Sequence, residues 1–309
     1  MAVLLVTDDT FLKHDTGPGH PESVDRIRTV QQALNDESFN SLLRRAPVDA
    51  TEEQMAAPHS SDLVAAILKA APTGGYRHID SDTVMSSGTG DAIRKGAGSL
   101  VLAVDSVISG EAESAFCAVR PPGHHAERDR PMGFCFVNNV AVAAMHARQA
   151  HGLRKIAVVD FDVHHGNGTQ DIFWNEPDLF FASSHQYPHY PGTGAAEDIG
   201  GYNNVVNAPL PPGTGGGGFR KAFERDILPA LDSFAPDLIL ISAGFDAHKD
   251  DPLSDMGLEE DDFFWVTRRI LSIADKHADG RVVSALEGGY NLRALGASAA
   301  AHVKALMKG

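Results

Sequence analysis

The chain has 309 residues, 43% hydrophobic content and a net charge of −15, enough apolar material for a large core, which argues against disorder and allows one big α/β domain or two ordinary ones. The negative charge argues against a broad nucleic-acid surface, because phosphate binding draws on Lys and Arg; it suits cationic substrates, and equally it serves only to keep an ordinary protein soluble. The longest apolar runs, such as Ala2 to Val6, fall far short of the roughly 20 residues of a membrane span, and nothing at the N-terminus resembles a secretory signal, so no membrane association and a cytoplasmic location are expected.

Ala2 to Val6 reads as a buried strand, and Thr7 through Gly17-Pro18-Gly19-His20-Pro21 as a loop. Val24, Ile27, Val30 and Leu34 recur at helical spacing, while Thr51 and Gln54 have the separation of a capping box ahead of a short helix. Ile93 to Ile108 carries a helical stripe of Ala97, Leu100, Val101, Val104 and Val107, and Ala115 to Val119 then reads as a strand. Cys117 and Cys135 form neither a CxxC pair nor a disulfide framework, and both are assigned buried structural roles. Helices are predicted to begin near Asn139, Gly218, Leu258 and Leu292, interleaved with strands Ile156 to Val159, Leu179 to Ser183, Leu238 to Ser242 and Val282 to Leu286. The glycine run Gly213 to Gly218, after a strand-like Val205-Val206 segment, reads as a connecting loop and lacks the Lys-Ser/Thr ending of a phosphate-binding loop. The alternation predicts a single α/β domain over residues 1–309, with a mainly parallel central sheet and helices on both faces.

The unusual polar clusters all follow predicted strands: Val119 leads to His124-His125, Val159 to Asp160-Phe161-Asp162-Val163-His164, Ser242 to Asp246, and Leu286 to Tyr290. Ligands of open parallel sheets bind beyond the carboxyl ends of the strands, so these four segments are expected to converge. Asp160, Asp162 and His164 are spaced by two, and on extended backbone their side chains share one side. Carboxylate and imidazole donors suit zinc, and Asp246 would complete a three-ligand set with a fourth position open to water. Asp160 either joins that grip or acts behind it, orienting a histidine or holding local backbone. A lone Asp-x-His would read as a surface pair; four converging clusters reverse that reading.

His124 and His125 end the stiff Arg120-Pro121-Pro122-Gly123 loop. A neutral imidazole there can take a proton from metal-activated water and return it to a leaving amine. Tyr290 follows Gly288-Gly289, whose lack of side chains permits close backbone approach. Its hydroxyl is placed to donate to a carbonyl oxygen as negative charge develops.

At these residues the sequence closely resembles the histone deacetylase family, within the arginase-like fold. The similar stretches run from Gly17-Pro18-Gly19-His20-Pro21-Glu22-Ser23, through Arg120 to Asn138, Val159 to Gln170, His185 to Gly194 and Ser242 to Leu253, to Glu287 to Asn291, spanning nearly the whole chain. The resemblance implies zinc on Asp162, His164 and Asp246, general acid–base work at His124 and His125, and carbonyl polarisation by Tyr290. It also implies an acyl channel lined by Gly133, Phe134, Tyr190, Gly288 and Gly289, and a monovalent cation, potassium, around Asp160, Asp162, His164, Ser183 and Ser184. Asn167, in Gly166-Asn167-Gly168-Thr169-Gln170, stands where one branch of the family has Asp; this class II pattern leaves His125 without a carboxylate partner there. Tyr190 departs from the pattern, in which an aromatic without a hydroxyl is usual, and no carboxylate marks a dedicated acetylpolyamine hydrolase.

The implied function is zinc-dependent deacylation of an acylated primary amine, either acetyl-lysine in a peptide or a small amine such as an acetylpolyamine. Two alternatives stay open. One is a catalytically idle acyl-lysine-binding scaffold, against which intact His124, His125 and Tyr290 speak. The other is a binuclear manganese ureohydrolase, to which Asp-x-His and Asp246-Ala247-His248 bear a superficial likeness. Acyl length, amine and oligomeric state are not set by the sequence.

Overall fold

The computed structural model describes residues 2–307 and begins with strand β1 (Val3–Val6), helix α1 (Val24–Ala33), strand β2 (Leu43–Arg45) and helices α2 (Glu52–Ala56) and α3 (Ser61–Ala70). A small antiparallel ribbon, β3 (Arg77–His78) with β4 (Val84–Met85), precedes helix α4 (Thr89–Ile108). Strands β5 (Ser114–Cys117), β6 (Ile156–Asp160), β7 (Leu179–Gln186), β8 (Val205–Leu210), β9 (Leu238–Ala243) and β10 (Val282–Leu286) follow. Between and after them come α5 (Asn139–His151), α6 (Asn167–Phe173), α7 (Gly216–Ala222), α8 (Leu228–Phe234), α9 (Glu260–His277) and α10 (Leu292–Met307).

Eight strands form one sheet in the order β2-β1-β5-β10-β9-β6-β7-β8, with every ladder parallel. Parallel neighbours need long crossovers, and the helices in those crossovers cover both faces. The central strands are accordingly apolar along most of their length and buried throughout, as in Leu238-Ile239-Leu240-Ile241. Successive side chains leave opposite faces. Phe116 meets His302 of α10, with ring centroids 5.4 Å apart, while its neighbour Cys117 places Sγ 3.5 Å from the Ser99 carbonyl of α4. Helices α4 and α5 pack together on the second of these faces, and α1 and α9 pack beside α10 on the first. No described helix is long and apolar enough to cross a membrane.

Local chemistry sets several boundaries. Thr51 and Gln54 form both hydrogen bonds of the predicted capping box. Helix α5 starts where the Asn138 side chain accepts the Ala141 N–H and stops at Gly152, whose φ of 68° suits glycine. Two expectations need correction. Strand β7 runs on through Ser184, His185 and Gln186, which are polar yet buried. The glycine run is only partly a loop, because Gly216 to Gly218 form the first turn of α7; a Cβ at Gly216 would collide with the Asp262 carboxylate.

Helix α1 is tied to the loop after β5 by charges at 0% exposure: Glu22, Arg26 and Arg120. Arg120 donates through Nε to Glu22 Oε1 at 2.5 Å and through Nη2 to Oε2 at 2.6 Å, while Arg26 Nη1 reaches Oε1 at 2.7 Å. Burial alone would raise the Glu22 carboxyl; Arg120 first, then His14 and Arg26, outweigh it and hold the group well below its usual range. Removing one member leaves buried charge uncompensated, so Glu22→Gln is expected to cost about 3–5 kcal/mol in chemical unfolding. The contribution is present at neutral pH and lost as pH falls from roughly 4.3, the unfolded carboxyl value, through the lower folded value. An unfolding midpoint unchanged in Glu22→Gln at pH 7 would contradict this assignment.

Candidate active site

Strands β5, β10, β9 and β6 are consecutive neighbours in the sheet. The chain beyond their carboxyl ends carries, in turn, His124-His125, Glu287 to Tyr290, Asp246, and Asp162 to His164. Four segments distant in sequence meet because the strand order makes their strands adjacent.

Asp162 and Asp246 are at 0% exposure and His164 at 8%, and one donor atom from each lies within 4.8 Å of the others. His164 Nδ1 is 3.1 Å from Asp162 Oδ1 and 3.1 Å from Asp246 Oδ2. One ring nitrogen carries at most one proton and cannot donate a full hydrogen bond to both, so two carboxylates and an imidazole facing one point suit a cation. Backbone N–H groups aim the carboxylates: Gly288 donates to Asp162 Oδ2 at 2.8 Å, and Val163 donates to Asp246 Oδ1 at 2.9 Å. Burial, and then the charge of Asp162, pushes Asp246 up to about 7. Burial likewise opposes ionisation of Asp162, but His124 and His164 outweigh it and hold this carboxyl far below its usual range. His164 is raised to about 10: burial disfavours its charge, and hydrogen bonds to Asp162 and Asp246 override that.

Asp160 stands behind this group. Its Oδ2 lies 2.9 Å from His124 Nδ1, and its Oδ1 accepts the Asp162 N–H at 3.0 Å. Burial would lower His124, yet Asp160 and Asp162 raise it to about 10. His125 lies 4.0 Å away, centroid to centroid, and is held well below its ordinary value by burial, then by the charges of His124 and His164. Two adjacent histidines are thereby shifted in opposite directions. Asn167 Oδ1 is 2.8 Å from His125 Nδ1, the amide contact expected in place of a carboxylate.

Tyr290 lies on the same rim. Its backbone N–H donates to Asp251 Oδ2 at 2.7 Å, and Arg26 Cζ sits 4.9 Å from its ring centroid. Among the described residues its hydroxyl makes no hydrogen bond. Phe134 meets Tyr290 edge to face at 5.9 Å, and Tyr190 meets His125 at 5.3 Å. Gly133 adopts φ 57°, and a Cβ there would come 2.5 Å from the His125 ring. Gly288 and Gly289 are fully buried: a Cβ at Gly288 would run into Asp246 Oδ2, and the Gly289 carbonyl accepts Arg26 Nε at 2.6 Å. Their backbone braces the Asp162 carboxylate and Arg26. His248 Nε2 lies 3.7 Å from Glu260 Oε1, and His248 is outside the buried group of Asp162, His164 and Asp246.

Residues 20–306 match the histone deacetylase domain. The chain belongs to the histone deacetylase family. A histone deacetylase-like amidohydrolase of Pseudomonas aeruginosa is 39% identical over 280 residues, covering 88% of this chain and 73% of that protein. A probable deacetylase of Archaeoglobus fulgidus is 38% identical over 298 residues, covering 94% and 82%. The crystal structure of the HDA15 HD domain matches with a TM-score of 0.94 at 34% identity, covering 99% of this chain and 88% of that one. Membership in this family of amidohydrolases supports deacetylase activity, and the buried Asp162, His164 and Asp246 group is its candidate metal centre.

Several supports of this histone deacetylase site were not assigned from sequence. Glu287 accepts the N–H groups of Gly123 at 2.7 Å and His124 at 3.2 Å, fixing the histidine loop to β10. Glu127 Oε1 accepts Asn167 Nδ2 at 2.7 Å, which orients the amide against His125. His189 stacks on His164 at 5.0 Å. The i,i+4 pairing of Glu22 with Arg26 and the opening position of Glu287-Gly288-Gly289-Tyr290 were the signals that could have marked Arg26 and Glu287.

Proposed function

We propose that the chain is a zinc-dependent deacylase acting on linear acylated primary amines, with Asp162, His164 and Asp246 as ligands. The observation that carries this reading is the convergence of a buried two-carboxylate, one-imidazole group with His125 and the Tyr290 phenol, whose hydroxyl makes no hydrogen bond among the described residues. Zinc there would make a water acidic enough to attack an amide near neutral pH and would polarise the carbonyl.

The remaining work falls to the chain. The Asn167 contact keeps the His125 proton on Nδ1 and leaves a lone pair on Nε2, which takes a proton from the attacking water and passes it to the leaving nitrogen. His124 holds its Nδ1 proton toward Asp160 and presents positive charge to the developing oxyanion. The Tyr290 hydroxyl donates to the carbonyl oxygen. Phe134 and Tyr190 flank a methylene chain, whose burial contributes about 0.8 kcal/mol per CH₂. The charge of −15 favours an amine substrate. A potassium ion would be held by backbone around Asp160, Asp162, His164, Ser183 and Ser184, where Asp160 and Ser183 are paired across β6 and β7.

The test compares an acetyl-lysine peptide, acetylputrescine and a branched acyl amide. Chelation is expected to abolish turnover and added zinc to restore it. Both linear amides should exceed the branched one in kcat/KM, and Phe134→Ala should erode that preference. Full activity after verified metal loss would overturn the zinc assignment; preference for the branched amide would overturn the threaded chain.

A further inference from the structure

Helices α4 and α5 carry a second convergence of ligand atoms, separate from the candidate metal group of Asp162, His164 and Asp246. Asp105 of α4 presents Oδ1 to two histidines of α5, 2.7 Å from His146 Nε2 and 2.7 Å from His151 Nε2. The two rings meet edge to face at 5.4 Å. All three donor atoms lie within 4.8 Å of one another. We propose that Asp105, His146 and His151 form a separate, peripheral site for a divalent transition-metal ion of the zinc class.

The donor chemistry selects that class. Two imidazoles and one carboxylate suit zinc and its neighbours in the first transition row, and are poor for calcium or magnesium, which take oxygen ligands. Tetrahedral coordination with bonds near 2.0–2.2 Å sets ligand atoms about 3.3 Å apart, so each nitrogen need retreat from the carboxylate oxygen by well under an ångström. Side-chain exposures of 12% at His146, 25% at His151 and 47% at Asp105 leave room for that movement and open the remaining coordination positions to water. His151 ends α5 directly before Gly152, where the negative end of the helix dipole favours a cation. A metal here would tie α4, which packs on β5 and β10, to α5, which packs on β6 and β9. These are the four strands that carry the candidate active site, so the ion would staple the layer behind it.

The competing account is that the histidines only hydrogen-bond the carboxylate. Enzyme adjusted to one zinc per chain is titrated calorimetrically with further Zn²⁺ near neutral pH. Wild type is expected to take up about one more equivalent and to gain thermal stability as it does so. His146→Ala/His151→Ala should lose that second event while retaining the first zinc and its deacetylase kcat/KM. Should the double variant misfold by circular dichroism, Asp105→Asn provides the same comparison, with second-site affinity at least about tenfold weaker. Absence of a second event in wild type would overturn the proposal, as would an unchanged event in correctly folded variants.

Discussion

Asp162→Ala and Asp246→Ala are each expected to lose the bound metal and, with it, turnover of any acyl amide. Each removes one of the three proposed ligands, and two would not hold the ion. Without Asp162, His164 Nδ1 retains only the Asp246 contact, and the Gly288 N–H loses its acceptor. Without Asp246, the Val163 N–H that positions the neighbouring loop is left without its carboxylate. Asp160→Asn separates ligand loss from general disruption of the site. It touches His124 and the Asp162 backbone but lies outside the ligand group, so it should retain metal and lose only the roughly 10- to 100-fold typical of outer partners. Metal content per chain and kcat/KM, measured together on the three variants, check the ordering. Full metal occupancy in both alanine variants would show that another set of residues holds it.

The ligand group was legible because its information is local. Asp160 ends a buried strand, Asp162 and His164 follow it in a bend, and Asp246 follows an equally apolar strand. The rule that ligands gather beyond parallel strands carries that far, while the spacing of two does not, because the chain bends after Asp160 and its carboxylate faces His124. The carboxylates' geometry was not legible in the same way. It depends on Gly288 reaching Asp162 across the sheet, a contact between residues separated by 126 positions. The two histidines divide similarly. Their place after β5 follows from the strand pattern, but their opposite shifts follow from the Asp160 and Asp162 carboxylates beside His124 and from burial and the neighbouring histidines at His125, and Glu127 behind Asn167 comes from a loop path that no periodicity encodes. Polar composition hid the end of β7, where His185 is buried because Ser183 and the Gly194 carbonyl satisfy its nitrogens. Glycine content likewise hid the first turn of α7, where intrinsic helix preference yields to the close approach of Asp262.

Tyr290→Phe is expected to slow turnover by about 10²- to 10³-fold, corresponding to about 2.7–4 kcal/mol of lost transition-state stabilisation, while the fold and the metal stay intact. The substitution is narrow because nearly everything that positions this residue survives it. Asp251 still accepts its backbone N–H, Arg26 still lies over a ring, and Phe134 still packs edge to face. Only the O–H is lost. Burial raises that phenol well above its ordinary value against the opposing pull of Arg26, so in the parent enzyme it stays protonated and able to donate across the neutral range. The hydroxyl has no partner among the described residues to compete for it. A donor that engages only as the carbonyl oxygen gains charge affects kcat and kcat/KM alike and leaves KM nearly unchanged. That split distinguishes it from a substrate-binding residue, whose loss would raise KM at constant kcat. A near-normal kcat in Tyr290→Phe would remove the phenol from the mechanism and leave oxyanion stabilisation to the metal and His124.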